Sequence, residues 1–209
     1  MEVSMINGDS GEYEVLAQGV ELSKEVDGML CEIGLREGLG TKFIIDAAVI
    51  HRPGSTVISI DPYGSILYKP RNHMPECRLD YTNEMGKQCV ADLSAYVIDK
   101  NVDWQFFKTT DTRFFEQYMD GIELYELEAK RCNKYAFVHL DGPHSVEAVC
   151  HEIDWFAVRM NTGATLVIDD ITPDFLPLNV VEDYMGVNDE NGRFERVFKG
   201  VKKALYKRL

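Results

Sequence analysis

The chain is short of several things that would otherwise fix its class. Basic residues are scarce, with 22 Lys and Arg against 35 Asp and Glu, a formal net charge of −13. Such a field repels phosphate backbones and argues against nucleic acid as a partner. The five cysteines, at 31, 77, 89, 132 and 150, are odd in number and form no CxxC pair. Neither a disulfide framework nor a zinc knuckle is therefore indicated, and they read as reduced thiols of a cytoplasmic protein. No apolar run approaches the ~18 residues of a membrane span, and the stretch 43–50 is broken by Asp46. The N-terminus is acidic and lacks the basic-then-apolar pattern of a signal peptide. Repeats, low-complexity tracts and linkers are missing too. A length of 209 residues with 45% hydrophobic content suits one α/β domain over 1–209. Gly40-Thr41-Lys42 lacks the Gly-Lys-Ser/Thr order of a Walker loop. The one basic cluster, Lys199, Lys202, Lys203, Lys207 and Arg208, reads as a solvated strand face beside Val201, Leu205 and Leu209.

What the chain does have is a glycine-rich turn at Gly34-x-x-x-Gly38-x-Gly40, with Glu32 two residues before it. An apolar run (Met29, Leu30) precedes the turn and a helical apolar pattern (Phe43, Ile44, Ala47, Ala48) follows it. Strand, glycine turn and helix in that order let the backbone approach a ligand and aim free N–H groups at it. The spacing differs from the dinucleotide fingerprint G-x-G-x-x-G.

Periodicity predicts helices over 12–25, 41–51, 83–100, 112–120, 122–131, 145–160 and 175–185. It predicts strands over 28–33, 56–61, 104–108, 135–141, 164–169, 194–199 and 203–208. Asn161-Thr162-Gly163 is read as closing the helix that ends at Met160, and Asp111 as able to cap the helix after it. Alternation of strands and helices argues for a Rossmann-like, doubly wound α/β sheet of about seven strands. The expected sheet is mostly parallel, with an antiparallel C-terminal strand and helices on both faces. Ligands on such sheets bind beyond the carboxyl ends of the strands. Glu32, Asp61, Asp141, Asp169 and Asp170 fall at or beside those ends.

Taken together, the Glu32-x-Gly34 turn, Ile60-Asp61, Leu140-Asp141-Gly142-Pro143-His144-Ser145-Val146-Glu147, Ile168-Asp169-Asp170 and two short final strands resemble the class I S-adenosylmethionine-dependent methyltransferases. Within them the chain looks most like the TylF-like group, which includes macrolide-sugar O-methyltransferases. The resemblance implies S-adenosylmethionine as cofactor. Gly34, Gly38, Gly40 and Thr41 would lie along it. Glu32 would meet its amino group or orient the turn. Asp61 would accept from the ribose hydroxyls. Tyr63 and Asp111 would lie near the adenine, and Asp141 beside the cofactor. A helix-capping role for Asp111 stays open. Asp141, Asp169 and Asp170 resemble the carboxylates that hold a divalent cation in metal-dependent members. Hard oxygen donors of that kind suit Mg²⁺. Three such carboxylates on adjacent strand ends need a cation, a proton or a basic side chain between them. A purely structural role, capping the turn after Asp170, is the alternative.

The chain departs from the group at Pro143, where parts of it carry an acid that could act as base. His144 and Asp141 are then the candidate catalytic residues, His144 because an ordinary pKa of ~6.5 suits proton transfer at neutral pH. His144 could instead fix the loop. The stretch 62–82, with Tyr63, Tyr68, Lys69, Arg71, His73 and Tyr81, reads as a substrate-covering loop for a small-molecule or sugar acceptor, or as a polar surface loop. Membrane association is not expected, and self-association into a homo-oligomer is left open. Rival functions are a nicotinamide oxidoreductase, a nucleic-acid amino-methyltransferase and a non-catalytic nucleotide-binding member of the fold. Asp141-Gly142-Pro143-His144 departs from the tetrad of the amino-methyltransferases.

Overall fold

The computed structural model of the chain describes residues 6–8, 10–64, 66–68, 75–78, 81–125, 129–187 and 189–209. Seven strands form the main sheet: β1 (Met29–Ile33), β2 (Thr56–Ile60), β5 (Asp103–Phe107), β8 (Tyr135–Leu140), β9 (Met160–Ile168), β10 (Phe194–Lys199) and β11 (Ala204–Arg208). Two short hairpins lie outside it: β3 (Leu67–Tyr68) with β4 (Cys77–Arg78), and β6 (Ile122–Tyr125) with β7 (Ala129–Cys132). The sheet order is β10-β11-β9-β8-β1-β2-β5. β11 runs antiparallel to both of its neighbours, and the other pairs are parallel.

Successive residues on each strand point to opposite faces, which divides the core in two. Leu30, Val57, Phe137, Val167 and Leu205 belong to one cluster, under α1 (Glu14–Leu22), α2 (Leu39–His51) and α3 (Asn83–Val97). Cys31, Ile58, Val138, Leu166 and Tyr206 belong to the other, under α4 (Asp111–Gln117), α5 (Val146–Ala157) and α6 (Leu178–Met185). Each fully buried Leu or Ile contributes about 1.5–3 kcal/mol, so these clusters hold the layers together. The chain winds outward from β1 through β2 to β5, then returns to place β8 on the other side of β1. The switch point therefore lies between β1 and β8, where such sheets leave a crevice.

The structure revises three local expectations. Residues 122–125 and 129–132 form a hairpin, not a helix, with Ile122 paired to Cys132. Ile122 and Leu124 are buried while Glu123 is exposed, a period of two. The helix expected to reach Met160 stops at Ala157. Met160 and the Asn161-Thr162-Gly163 segment instead open β9, across a bulge against β8. The cap of α4 is Thr110, whose Oγ accepts from the Arg113 amide at 3.3 Å; Asp111 sits one residue inside the helix.

Candidate active site

A cavity of about 250 Å³ opens at the carboxyl edge of the sheet. Strand ends distant in sequence deliver five carboxylates to it: Asp61 after β2, Asp111 after β5, Asp141 after β8, and Asp169 and Asp170 after β9. Arg36, Lys202 and His144 also line it. A smaller recess of about 20 Å³ lies along the glycine turn, with Glu32, Gly34, Gly38 and Gly40 in its wall. Gly34 and Asp141 line both.

Gly34 has φ +91, and a Cβ there would stand 2.0 Å from the Asp141 carbonyl oxygen. Only a residue without a side chain permits this approach between the ends of β1 and β8. Gly40 is small for another reason: its Cβ would meet Glu32 Oε1 at 2.2 Å. Glu32 is buried, accepts from the Thr41 hydroxyl and lies 3.0 Å from His139 Nδ1. Thr41 is itself buried, turns to Glu32 and Ser59, and lines neither cavity.

Asp61 holds the turn in shape. Its Oδ2 accepts from the amides of Leu35 (3.0 Å) and Arg36 (3.1 Å), and its Oδ1 from the amide of Tyr63 (2.9 Å). Arg36 and Tyr63 have positive φ, 45 and 42, a conformation that costs energy unless its surroundings impose it. A carboxylate offers about four lone-pair sites, so these amides leave about one for a ligand. Burial raises the Asp61 carboxyl above its ordinary range, and the three amides pull against that. The Tyr63 ring is buried against Gly86 and Phe106, and its hydroxyl donates to the Arg36 carbonyl at 2.5 Å.

The third group of carboxylates is arranged differently from the sequence expectation. Asp169 is 1% exposed and pairs with the ammonium of Lys203, which is 0% exposed. Its Oδ2 also accepts from Ser10 Oγ (2.9 Å), and its Oδ1 from the Asp170 amide (2.7 Å). Burial opposes ionisation of Asp169, but Lys203, with help from His139 and the Asp170 amide, brings its pKa down to about 2. Asp170, at φ 51, turns its oxygens to Lys202 Nζ (3.5 Å) and His144 Nε2 (3.4 Å). Asp141 keeps 27% of its side chain open, and its Oδ1 lies 4.0 Å from His144 Nε2. Burial first, and then the Asp169 charge, push its carboxyl well above the usual range. Burial lowers the His144 pKa below 6.5, which keeps the ring neutral at pH 7 although Asp170 and Asp169 pull the other way.

Among the described residues, the group whose ligand atoms converge within 4.8 Å is His139, Asp141 and Asp169, without Asp170. Lys203 lies in the core and not on a solvated strand face, because the period of two places it with Leu205, facing α1. Sequence reasoning passed over four other residues. Ser10 and Glu12 tie the N-terminal segment to the β10–β11 turn, where Glu12 accepts from the amides of Val201, Lys202 and Lys203. His139 and Glu152 are both fully buried. Glu152 carried a readable signal, since it follows Val149 by three residues on the apolar stripe of α5. Lys69, Arg71 and His73 lie outside the described residues, as does the side chain of Tyr68. Ile66 and Tyr81 line the cavity from that region.

A family described as a methyltransferase domain matches residues 31–171, from β1 through both Asp169 and Asp170. The chain belongs to this methyltransferase family. Its sheet order, with one antiparallel strand set between parallel neighbours, is that of class I S-adenosylmethionine-dependent enzymes. Solved structures agree on the fold. The calicheamicin methyltransferase CalS11 superposes with a TM-score of 0.65 at 10% identity, over 94% of this chain and 78% of that one. An O-methyltransferase from Bacillus cereus, in complex with S-adenosylhomocysteine, gives 0.63 at 10% identity over 99% and 84%. The O-methyltransferase TomG from Streptomyces achromogenes, involved in tomaymycin synthesis and bound to S-adenosylmethionine, gives 0.61 at 11% identity over 97% and 82%. No curated protein matches the sequence. Among the described residues of this methyltransferase, no helix is long and apolar enough to cross a membrane.

Proposed function

We propose that this methyltransferase methylates a hydroxyl group of a small-molecule or sugar acceptor. The observation that carries this reading is one continuous cavity reaching from the glycine turn and Asp61 to His144 and Lys202. The three related structures described above, named as methyltransferases and in two cases as O-methyltransferases, support the same reaction class. With Asp141 protonated and Asp169 neutralised by Lys203, Asp61, Asp111 and Asp170 still outnumber Arg36 and Lys202 in the cavity wall, a balance that favours a cationic sulfonium over a phosphate chain.

The donor set suits S-adenosylmethionine. Gly34 and the recess by Glu32 suit its amino-acid end, the remaining acceptor site of Asp61 suits a ribose hydroxyl, and Asp111 suits the adenine amine. When bound, the cofactor supplies an electrophilic methyl on a positive sulfur. The chain's own part is alignment and proton removal. His144, neutral at pH 7, would take the proton that the acceptor hydroxyl loses on methylation. Asp170 stabilises the resulting imidazolium from 3.4 Å. Ile66 and Tyr81 line the cavity and would meet the acceptor.

Divalent metal on Asp141, Asp169 and Asp170 does not fit these residues, because Lys203, Lys202 and His144 already engage the Asp169 and Asp170 oxygens. The test is incubation with methyl-labelled S-adenosylmethionine and a panel of hydroxylated sugars, phenols and hydroxy acids, read by mass spectrometry. A labelled methyl ether supports the reading; label found only on nitrogen or carbon acceptors overturns it.

A further inference from the structure

A row of polar side chains crosses the sheet beneath α1 and α2. It runs from Ser59 on β2 through Glu32 on β1 and His139 on β8 to Asp169 after β9. Trp104 Nε1 donates to Ser59 Oγ (3.1 Å), Ser59 meets Thr41 (3.0 Å), and Thr41 donates to Glu32. Glu32 meets His139 Nδ1 at 3.0 Å, which leaves His139 Nε2 buried with no hydrogen-bond partner among the described residues. His139 also belongs to the group with Asp141 and Asp169 whose ligand atoms lie within 4.8 Å of one another.

One imidazole and two carboxylates make a donor set for a divalent transition metal rather than for Mg²⁺. The wholly buried Lys203 already delivers a positive charge there. Its ammonium contacts Asp169 Oδ2 and Ser10 Oγ (2.9 Å), and it has no exposed surface through which to swing away. Its backbone is held as well, since its amide donates to Glu12 at 3.1 Å. A metal ion on Asp169 would have to share that carboxylate with a fixed ammonium.

We propose that Lys203 is the built-in cation of this site: its ammonium takes the place of a divalent ion beside Asp141, Asp169 and His139, so the protein works without bound metal, and removing the ammonium opens a transition-metal site on those three residues. The metal-free turnover rests on the methyltransferase reading, whereas the binding behaviour does not.

The test is titration of Mn²⁺ into the full-length protein, with free Mn²⁺ followed by electron paramagnetic resonance, for wild type, Lys203→Ala and Lys203→Met. Wild type is expected to bind no stoichiometric Mn²⁺ and to keep its S-adenosylhomocysteine affinity in EDTA. At least one Lys203 variant is expected to bind one equivalent at least about tenfold more tightly than wild type, and His139→Gln in that background removes the gain. Stoichiometric Mn²⁺ binding by wild type overturns the proposal, even if neither variant folds. Folded variants that gain no metal binding overturn it as well. Methyl transfer that is seen but lost in EDTA overturns the metal-free claim, whereas no methyl transfer under either condition, with the binding pattern intact, counts against the enzymatic reading alone.

Discussion

Lys203→Met leaves the Asp169 carboxylate buried without its cation. The two side chains are 0% and 1% exposed, so water replaces little of what is lost. The ion pair and its surroundings bring Asp169 from the ordinary 3.8 to about 2, worth about 2 kcal/mol at neutral pH at about 1.36 kcal/mol per pH unit. Truncating one partner costs more than that shift, about 3–5 kcal/mol, because the remaining charge stays buried. At about 2–4 °C per kcal/mol for a chain of this size, Tm falls by about 6–20 °C. The sign with pH follows from the depressed carboxyl. Its stabilisation is present above 3.8 and is lost as pH falls through about 2. Asp169→Asn removes the stranded charge, so Lys203→Met/Asp169→Asn should recover part of the loss, with a coupling energy of about 2–3 kcal/mol. Urea melts of the four proteins at pH 7 measure the cycle. A single variant within about 1 kcal/mol of wild type, or an additive cycle, would refute the buried-pair account.

Two further outcomes follow from buried titratable groups. His144→Gln should lower kcat by about 10²–10⁴-fold while S-adenosylhomocysteine affinity holds. Because burial lowers the His144 pKa, the acid limb of the wild-type kcat/KM profile should fall below 6.5 and be absent in the variant; an unchanged profile would remove His144 from proton transfer. Glu152 is 0% exposed, and its carboxyl faces that of Asp111. Burial first, and then the Asp111 charge, raise its carboxyl well above the ordinary range. The folded state therefore keeps a proton that the unfolded chain gives up above about 4.3, and wild-type stability declines as pH rises past that point. Glu152→Gln should be more stable than wild type at pH 8, with the gap closing toward pH 4. Denaturant melts at both pH values test this, and equal effects at both would sink it.

The parallel core of the fold was legible because its signals are local. Each buried strand is a short β-branched or apolar run, and Gly34, Asp61, Asp141 and Asp169 stand just past strand ends, as expected of a doubly wound sheet. The hairpin at 122–132 was misread because Glu, Leu and Ala favour helices while the alternation of Ile122 and Leu124 does not. The carboxylates could be placed at one edge, but their partners could not. Asp61 spends three acceptor sites on the amides of Leu35, Arg36 and Tyr63, contacts that no spacing announces. Asp169 finds its cation 34 residues away, on a strand whose tail looks like a charged surface. The face shared by Lys203 and Leu205 was the available hint, and the surrounding run of lysines hid it.

The glycine turn, pinned by Asp61, should form an S-adenosylmethionine pocket. Calorimetric titration with S-adenosylhomocysteine, on wild type and on Asp61→Ala, tests it most directly. The account predicts one equivalent bound at micromolar affinity by wild type, and at least about tenfold weaker binding by the variant, whose Leu35, Arg36 and Tyr63 amides lose their acceptor. A folded wild-type protein that binds neither S-adenosylhomocysteine nor S-adenosylmethionine would contradict it.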